Sequence, residues 1–293
     1  YRNQYAPVWK LQQDHGTKEV GNAFFQNWQH RLALSWFLSS KTNTVKKELL
    51  DNMLLVDIYN KAKKLHIDAE ERRLVFVIET NRQRDNHAME VVKSLFTGRH
   101  GDYITAVDEE NIILVKGLDP KETYDEMQTL AKTIVDLLNT EAMINARIAY
   151  GTIVHNIKDI SRSYNEAKMA LDVGKIFYDE KSVIAYNKLG IGRLIYQLPI
   201  PLCKMFIDEI FPGTTPDEFD EETLLTIRKF FDNSLNVSET ARQLYIHRNT
   251  LVYRLDKVNK ATGLDLRVFE DAITFEIALM VVRYMHYMEN KTY

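Results

Sequence analysis

The chain has 293 residues, of which 45% are hydrophobic and 27% are charged, and its formal net charge is −3. This composition is that of an ordinary globular protein and excludes a disordered, collagen-like or disulfide-rich chain. A chain of this length has room for two domains and an additional helical segment. No run of about 18 apolar residues occurs, so no membrane-spanning helix is expected.

The cysteine content and the N-terminal residues indicate the cell compartment in which the chain is expected. Cys203 is the single cysteine, which excludes an internal disulfide and a multi-cysteine zinc site. It lies in an apolar segment and is expected to be a core residue rather than a reactive thiol. A lone cysteine and the lack of a basic-then-apolar leader predict a cytoplasmic protein. The chain opens with Tyr1 rather than Met, so we expect upstream sequence to be missing.

Residues 1–68 are predicted to be a helical segment that acts as a linker or in dimerisation. One helical stripe is aromatic and a second is aliphatic, and a short helix is expected over residues 57–65. The two stripes consist of Phe25, Trp28, Leu32 and Trp36, then Val45, Leu49, Leu50, Met53 and Leu54. Such stripes are typical of a core or a dimer seam, and a cofactor pocket is the less favoured alternative.

Residues 69–198 are predicted to form an α/β domain. Short β-branched runs indicate buried strands, and longer amphipathic runs indicate helices. Strands are predicted at 74–78, 103–107, 112–115, 146–150 and 183–186, with helices at 85–96, 120–138 and 160–177. The order β-α-β-β-α-β-α-β predicts a sheet of mixed strand direction covered by helices. The fold class is therefore α+β.

Residues 199–220 are predicted to be a linker with one short helix at 204–211. Pro199 and Pro201 are expected to break the chain, and the Pro-Gly-Thr-Thr-Pro run that starts at residue 212 is typical of a turn. Residues 221–293 are then predicted to form an all-α domain. Its first helix is expected over 221–231 and its last over 272–287.

Between those helices, residues 236–258 predict two short helices joined by a tight turn. Asn236 or Ser238 can cap the first helix. Leu251, Leu255 and Val258, spaced i, i+4 and i+7, predict a buried face on the second helix. Small Ala241 suits a close helix crossing, while Tyr245 stands in the turn where a generic helix-turn-helix has glycine.

The opposite face of the second helix carries hydrogen-bond donors, as a helix in the major groove requires. The predicted DNA-binding residues are His247, Arg248, Asn249, Thr250, Tyr253, Arg254 and Lys257. Arg248 and Asn249, together with His247, are predicted to touch bases, and the other four are predicted to anchor phosphates. A merely solvated helical hairpin is the alternative. Over 236–260 there are five basic against two acidic side chains, a net +3 in a chain of net −3, which favours DNA.

The run ETARQLYIHRNTLVYRLDKV, followed by TGLDL, resembles the C-terminal DNA-binding domain of the sugar-diacid regulator (CdaR/PucR-type) transcription factor family. Its ARQL-x-IxRxTLxxRL core is also similar to the nucleoid protein Fis. The resemblance covers residues 221–285 and tolerates Tyr245 in the turn. It implies a dimeric transcriptional regulator that binds a pseudo-palindromic operator in double-stranded DNA. It also implies a small-molecule effector, commonly sensed by an upstream domain.

The segment SYNEAKMALDVG makes the middle domain resemble the GGDEF-like domain of the same family, a relative of the diguanylate cyclase fold. In an active cyclase, hairpin glycines approach the GTP phosphates and acidic residues hold magnesium. Here Ala106 and Val107 replace those glycines. Glu79, Asp108 and Glu109 could be a relic metal or nucleotide site, but a strand end and a solvated turn are favoured. No catalysis, metal or cofactor is therefore expected.

Three functions follow from these patterns. The first is a sequence-specific transcriptional regulator. The second, acting through the middle domain, is a nucleotide-binding sensor or a diguanylate-cyclase-like enzyme. The third is a C-terminal domain that only pairs with another protein, which predicts salt-insensitive association and no retardation of DNA. No zinc-protease, phosphate-loop or nucleophile-elbow motif occurs in the sequence to favour a different enzyme.

Overall fold

The computed structural model describes residues 55–80, 86–96, 101–106, 111–213 and 219–291. The chain divides into two compact units. The first runs to Gly174 and adds Asp179–Leu189, and the second comprises Lys175–Tyr178 and Gly190–Tyr293. The two stripes predicted before residue 55 lie outside the described residues, as do Val107, Asp108 and Glu109.

The middle of the chain carries four α-helices and five strands within the described ranges. The helices are α1 (Leu55–Lys64), α2 (Asn86–Ser94), α3 (Tyr124–Glu141) and α4 (Ile160–Phe177). The strands are β1 (Arg73–Thr80), β2 (Tyr103–Ala106), β3 (Asn111–Gly117), β4 (Ala146–Tyr150) and β5 (Val183–Ala185). Each predicted strand is confirmed to within about two residues at either end, because short β-branched runs mark buried strands.

The five strands form one sheet in the order β2-β3-β1-β4-β5. Strand β1 is antiparallel to both neighbours, so that Phe76 pairs with Leu114 on one side and with Tyr150 on the other. Strands β4 and β5 are parallel, and α4 makes the crossover that such a pair needs. The predicted sheet of mixed strand direction is confirmed.

Helix α4 approaches the sheet closely at Gly151. A Cβ atom there would lie 2.0 Å from the carbonyl oxygen of Ser163, so no larger residue fits. The Ser163 hydroxyl accepts a hydrogen bond from the Val75 N–H at 3.1 Å and donates one to the Thr152 carbonyl at 2.8 Å. The Glu166 carboxylate accepts the Thr152 N–H at 2.8 Å. The family-like SYNEA segment therefore fastens α4 to the sheet.

The second unit is helical in its described residues, as the predicted all-α C-terminal domain requires. Its helices are α5 (Gly192–Ile195), α6 (Ile200–Ile210), α7 (Glu221–Asp232), α8 (Val237–Gln243), α9 (Arg248–Thr262) and α10 (Phe269–Lys291). Among the described helices, none combines the length and the apolar character needed to cross a bilayer.

The predicted linker over 199–220 is corrected in its first half. Pro201 is the second residue of α6, a position where a missing N–H leaves no hydrogen bond unmade. The prolines therefore begin a helix rather than break the chain. Cys203 is buried, as predicted, in a cluster with Val281 and Tyr284 of α10. Residues 200–210 thus pack within the helical unit.

Candidate nucleic-acid interface

Helix α8 begins at the predicted cap. The Asn236 side-chain oxygen accepts hydrogen bonds from the N–H groups of Ser238 at 3.1 Å and Glu239 at 3.0 Å. Asn236, rather than the alternative Ser238, is therefore the N-cap residue. The cap therefore defines the start of α8, a helix of only seven residues.

The turn after α8 is closed by two backbone hydrogen bonds. The Tyr245 N–H donates to the Arg242 carbonyl at 3.2 Å, and the Ile246 N–H donates to the Ala241 carbonyl at 3.0 Å. This pair of bonds is the Schellman motif, which requires left-handed backbone at the residue after the C-cap. Tyr245 occupies that position with φ of +54°. The predicted turn is thus formed without glycine.

Helix α9 is preceded by His247, whose ring Nδ1 accepts a hydrogen bond from the Asn249 N–H at 3.2 Å. This interaction makes His247 the N-cap residue. The first turn of α9 contains no acidic side chain. The partial positive charge of the helix N-terminus is therefore not offset by a carboxylate within this turn, which favours the approach of an anion such as a DNA phosphate.

The opposite face of α9 is anchored in the core of the helical unit. Leu251, Leu255 and Val258 are fully buried, which confirms the predicted apolar face. They belong to one cluster with Phe230 of α7 and Phe275 of α10. The cluster fixes the rotation of α9 about its own axis, and this rotation decides which side chains meet solvent.

The solvent-facing side of α9 carries most of the predicted DNA-binding residues. Arg248, Asn249 and Thr250 are exposed in its first turn, and Tyr253 is 69% exposed one turn later. Asn249, Tyr253 and Lys257, spaced i, i+4 and i+8, form one exposed stripe. Arg248 makes no ion pair with any residue in the described ranges. The structure therefore gathers donors on one accessible face.

Arg254 lies apart from this stripe. Its Nη2 is 2.5 Å from Oε2 of Glu222, and its Nη1 donates to the Thr226 hydroxyl at 3.0 Å. Only 18% of the Arg254 side chain is exposed. Arg254 therefore reaches sideways to α7, an interaction that the sequence pattern did not indicate.

Lys257 pairs with Asp220, and about half of each side chain remains exposed. Asp220 is also the N-cap of α7, since its Oδ1 accepts the Thr223 N–H at 2.7 Å. The hydrogen bond from Lys257, followed by that from the Thr223 backbone, holds the pKa of the Asp220 carboxyl well below its usual range. Lys257 is thus a cation that is both paired and accessible.

The positive charge counted over 236–260 is partly neutralised within the fold. Arg242 pairs with Glu239 at 2.6 Å, Arg254 pairs with Glu222 of α7, and Lys257 pairs with Asp220, the N-cap residue of α7. Arg248 in the first turn of α9 and Lys260 in its last turn are exposed and make no ion pair with the residues that the structure describes. Positive charge available to DNA is therefore present at both ends of α9, in addition to the paired but accessible Lys257.

Two family models match the chain, one within each of the two compact units. A model of the GGDEF-like domain matches residues 52–173, which include β1 to β4 and most of α4. A model of the PucR C-terminal helix-turn-helix domain matches residues 223–281, which include α8 and α9.

The chain is also similar to curated bacterial proteins. The purine catabolism regulatory protein of Bacillus subtilis (strain 168) is 25% identical over 59% of this chain and 33% of that protein. The carbohydrate diacid regulator of Escherichia coli (strain K12) is 23% identical over 83% of this chain and 67% of that protein. YxkF of Bacillus subtilis (strain 168) is 39% identical over 57% of this chain and 54% of that protein.

The chain spans from one third to two thirds of the length of these relatives. Each family model matches within one of the two units that the structure separates, and two of these relatives are named as regulators. This chain belongs to the CdaR/PucR-type family of transcriptional regulators, with a GGDEF-like domain followed by a helix-turn-helix domain.

Proposed function

We propose that this chain is a sequence-specific DNA-binding transcriptional regulator whose helix α9 enters the major groove. The observation that carries the proposal is the first turn of α9. Arg248, Asn249 and Thr250 are all exposed there, and no carboxylate lies in the turn. Guanidinium, amide and hydroxyl donors of this kind are those that match base edges and phosphates.

The side chains take different roles in this proposal. Arg248 and Asn249 contact base edges, with His247 beside them, because they occupy the N-terminal end of the helix. Thr250, Tyr253 and Lys257 contact phosphates, with Lys257 exchanging Asp220 for a phosphate oxygen. Arg254, predicted from the sequence as a phosphate anchor, is better suited to orienting α9, because its guanidinium is held by Glu222 and Thr226.

A symmetric homodimer is part of the proposal. One helix-turn-helix unit buries only a small area on DNA, which supports the use of two copies for specific binding. A two-fold dimer reads a pseudo-palindromic operator whose half-sites are about 34 Å apart, or a multiple of that distance.

We further propose that a small metabolite controls this regulator. The names of two relatives refer to purine catabolism and to carbohydrate diacids, which supports an effector drawn from the metabolism that the target genes serve. The identity of neighbouring genes in DNA bound by the chain would point to the chemical class of the effector.

The middle domain acts in this proposal without catalysis. Strand β2 ends at Ala106, and the following residues are Val, Asp, Glu and Glu, so the connection to β3 has no glycine that could approach a nucleotide phosphate. Incubation with GTP and magnesium should give neither a product nor a nanomolar complex. Either result would instead favour a nucleotide sensor or a cyclase-like enzyme.

Selection of genomic DNA by the purified chain tests the proposal. We expect a small set of enriched fragments, retarded in a gel and released steeply as salt rises, because phosphate contacts depend on counterion release. DNA binding that does not depend on the base sequence would contradict the proposal. So would an association with another protein that is insensitive to salt and does not retard DNA.

A further inference from the structure

The turn between α8 and α9 contains a side chain that packing does not explain. Tyr245 is 96% exposed and its φ is +54°. Left-handed backbone costs free energy in any residue that has a Cβ atom, and an aromatic ring left in water recovers none of it by burial. Glycine or asparagine would serve the stability of this turn better than tyrosine does.

Two other helix ends show what the turn itself requires. Helix α9 ends in the left-handed residue Gly263, the usual choice. Helix α3 is followed by Met143, whose φ is +54° and whose side chain is 80% exposed. Met143 therefore reproduces the backbone and the exposure of Tyr245, but in the first unit. A substitution at Met143 therefore measures the free-energy cost of the left-handed turn alone, without any contribution of the Tyr245 side chain.

The position of Tyr245 places it next to the exposed first turn of α9. It precedes the N-cap residue His247 by two residues, and two residues span at most about 7 Å. The exposed first turn of α9 follows directly, with Arg248 and Asn249. A duplex that reaches this turn comes close to Tyr245, whose exposed ring ends in a hydroxyl that can donate one hydrogen bond.

We propose that Tyr245 is a DNA-contact residue whose hydroxyl donates to a phosphate oxygen beside the groove that α9 enters. The inference rests on the proposed function and adds a neutral contact ahead of the recognition helix. Because phosphates carry no sequence information, the contact contributes affinity rather than specificity. Because the phenol is uncharged, it releases no counterion when DNA binds.

The test uses the full chain and a duplex that the wild-type chain selects from a random-sequence pool. Dissociation constants are measured over a range of salt concentrations for the wild type, Tyr245→Phe, Tyr245→Gly and the control Met143→Gly. We expect Tyr245→Phe to weaken binding by about tenfold, as the loss of one hydrogen bond to a charged group implies. The loss should be equal for the selected and a scrambled duplex, with an unchanged salt slope.

Tyr245→Gly should weaken binding as much, although its midpoint of thermal unfolding should not fall below that of the wild type. Met143→Gly should remove the same cost of left-handed backbone and leave DNA binding unchanged. Wild-type affinity in Tyr245→Phe would overturn the inference, even if Tyr245→Gly bound weakly. A wild-type chain that selects no duplex would overturn the proposed function along with it.

Discussion

Two carboxylates at the helix-turn-helix should make the helical unit sensitive to acid. Hydrogen bonds from Lys257 and from the Thr223 backbone lower the pKa of Asp220, and those from Arg242 and then Gln243 lower the pKa of Glu239 to about 2. A carboxylate with a lower pKa in the folded chain stabilises the fold above its unfolded pKa. That stabilisation is lost as pH falls through the folded pKa.

We therefore expect the midpoint of thermal unfolding of the chain to decrease between pH 4.5, the ordinary value for glutamate, and about pH 2. Asp220→Asn combined with Glu239→Gln should make this decrease shallower. The effect should be modest, because exposed ion pairs contribute little. A double variant whose midpoint followed pH as steeply as the wild type would show that these two residues do not carry the dependence.

Side-chain exposure on α9 was predictable from spacing, whereas side-chain partners were not. The buried positions of Leu251 and Leu255 follow from their separation by four residues, and the exposure of Asn249 follows with them. Lys257 is different, because its partner Asp220 lies 37 residues earlier in the chain. No local pattern contains that contact, which depends on how α7 packs beside α9.

At the scale of elements, Arg254 is the clearest link between α7 and α9. We expect Arg254→Ala to lower the free energy of unfolding by about 1–2 kcal/mol, since the ion pair and the bond to Thr226 are lost while Glu222 stays largely exposed. Urea unfolding measures this change. DNA affinity should fall as well, but with an unchanged salt slope, because α9 is mispositioned and no phosphate contact is removed.

Glu222→Gln separates a positioning role from a phosphate contact. If Arg254 acts through α7, Glu222→Gln should weaken DNA binding slightly although it removes a negative charge. Asp232→Asn is the matched control, because it removes an exposed charge from the same helix. Tighter DNA binding by Glu222→Gln than by the control would mean that Arg254 is freed to bind phosphate.

The packing of α4 on the sheet gives a second prediction at this scale. Ser163→Ala should lower the free energy of unfolding by about 1–3 kcal/mol, because the buried N–H of Val75 loses its hydrogen-bond partner. Thr133→Ala is a suitable control, since the exposed Thr133 hydroxyl donates only to the Thr129 carbonyl of the same helix. Equal midpoints in urea for the two variants would contradict this role of Ser163.

The strands, the start of α6 and the strand order differ in how far the sequence pattern could predict them. The strands were predictable because β-branched runs such as that of β1 are both local and buried. The short helix predicted at 204–211 exists as α6, but its start was predicted four residues late because Pro201 looks like a break unless it is known to lie at a helix start. The sheet order was not predictable, since the same alternation of elements fits several pairings of strands that are distant in the chain.

At the scale of the whole molecule, the proposed dimer predicts a symmetric footprint. On an enriched duplex, protected regions should fall in two half-sites about 34 Å apart, or a multiple of that distance, on one face of the DNA. Light scattering of the free chain should give twice the mass of one 34.2 kDa chain. A single protected half-site with a monomeric complex would contradict the dimer without removing the DNA-binding helix.

The central claim is that the first turn of α9 reads base pairs, and Arg248→Ala tests it most directly. Affinity is measured for a selected duplex and for its single-base-pair variants, with Arg147→Ala of the first unit as the control. We predict that Arg248→Ala costs about 1–3 kcal/mol on the selected duplex and loses discrimination at one base pair of each half-site. Unchanged affinity and unchanged discrimination in Arg248→Ala would contradict the account.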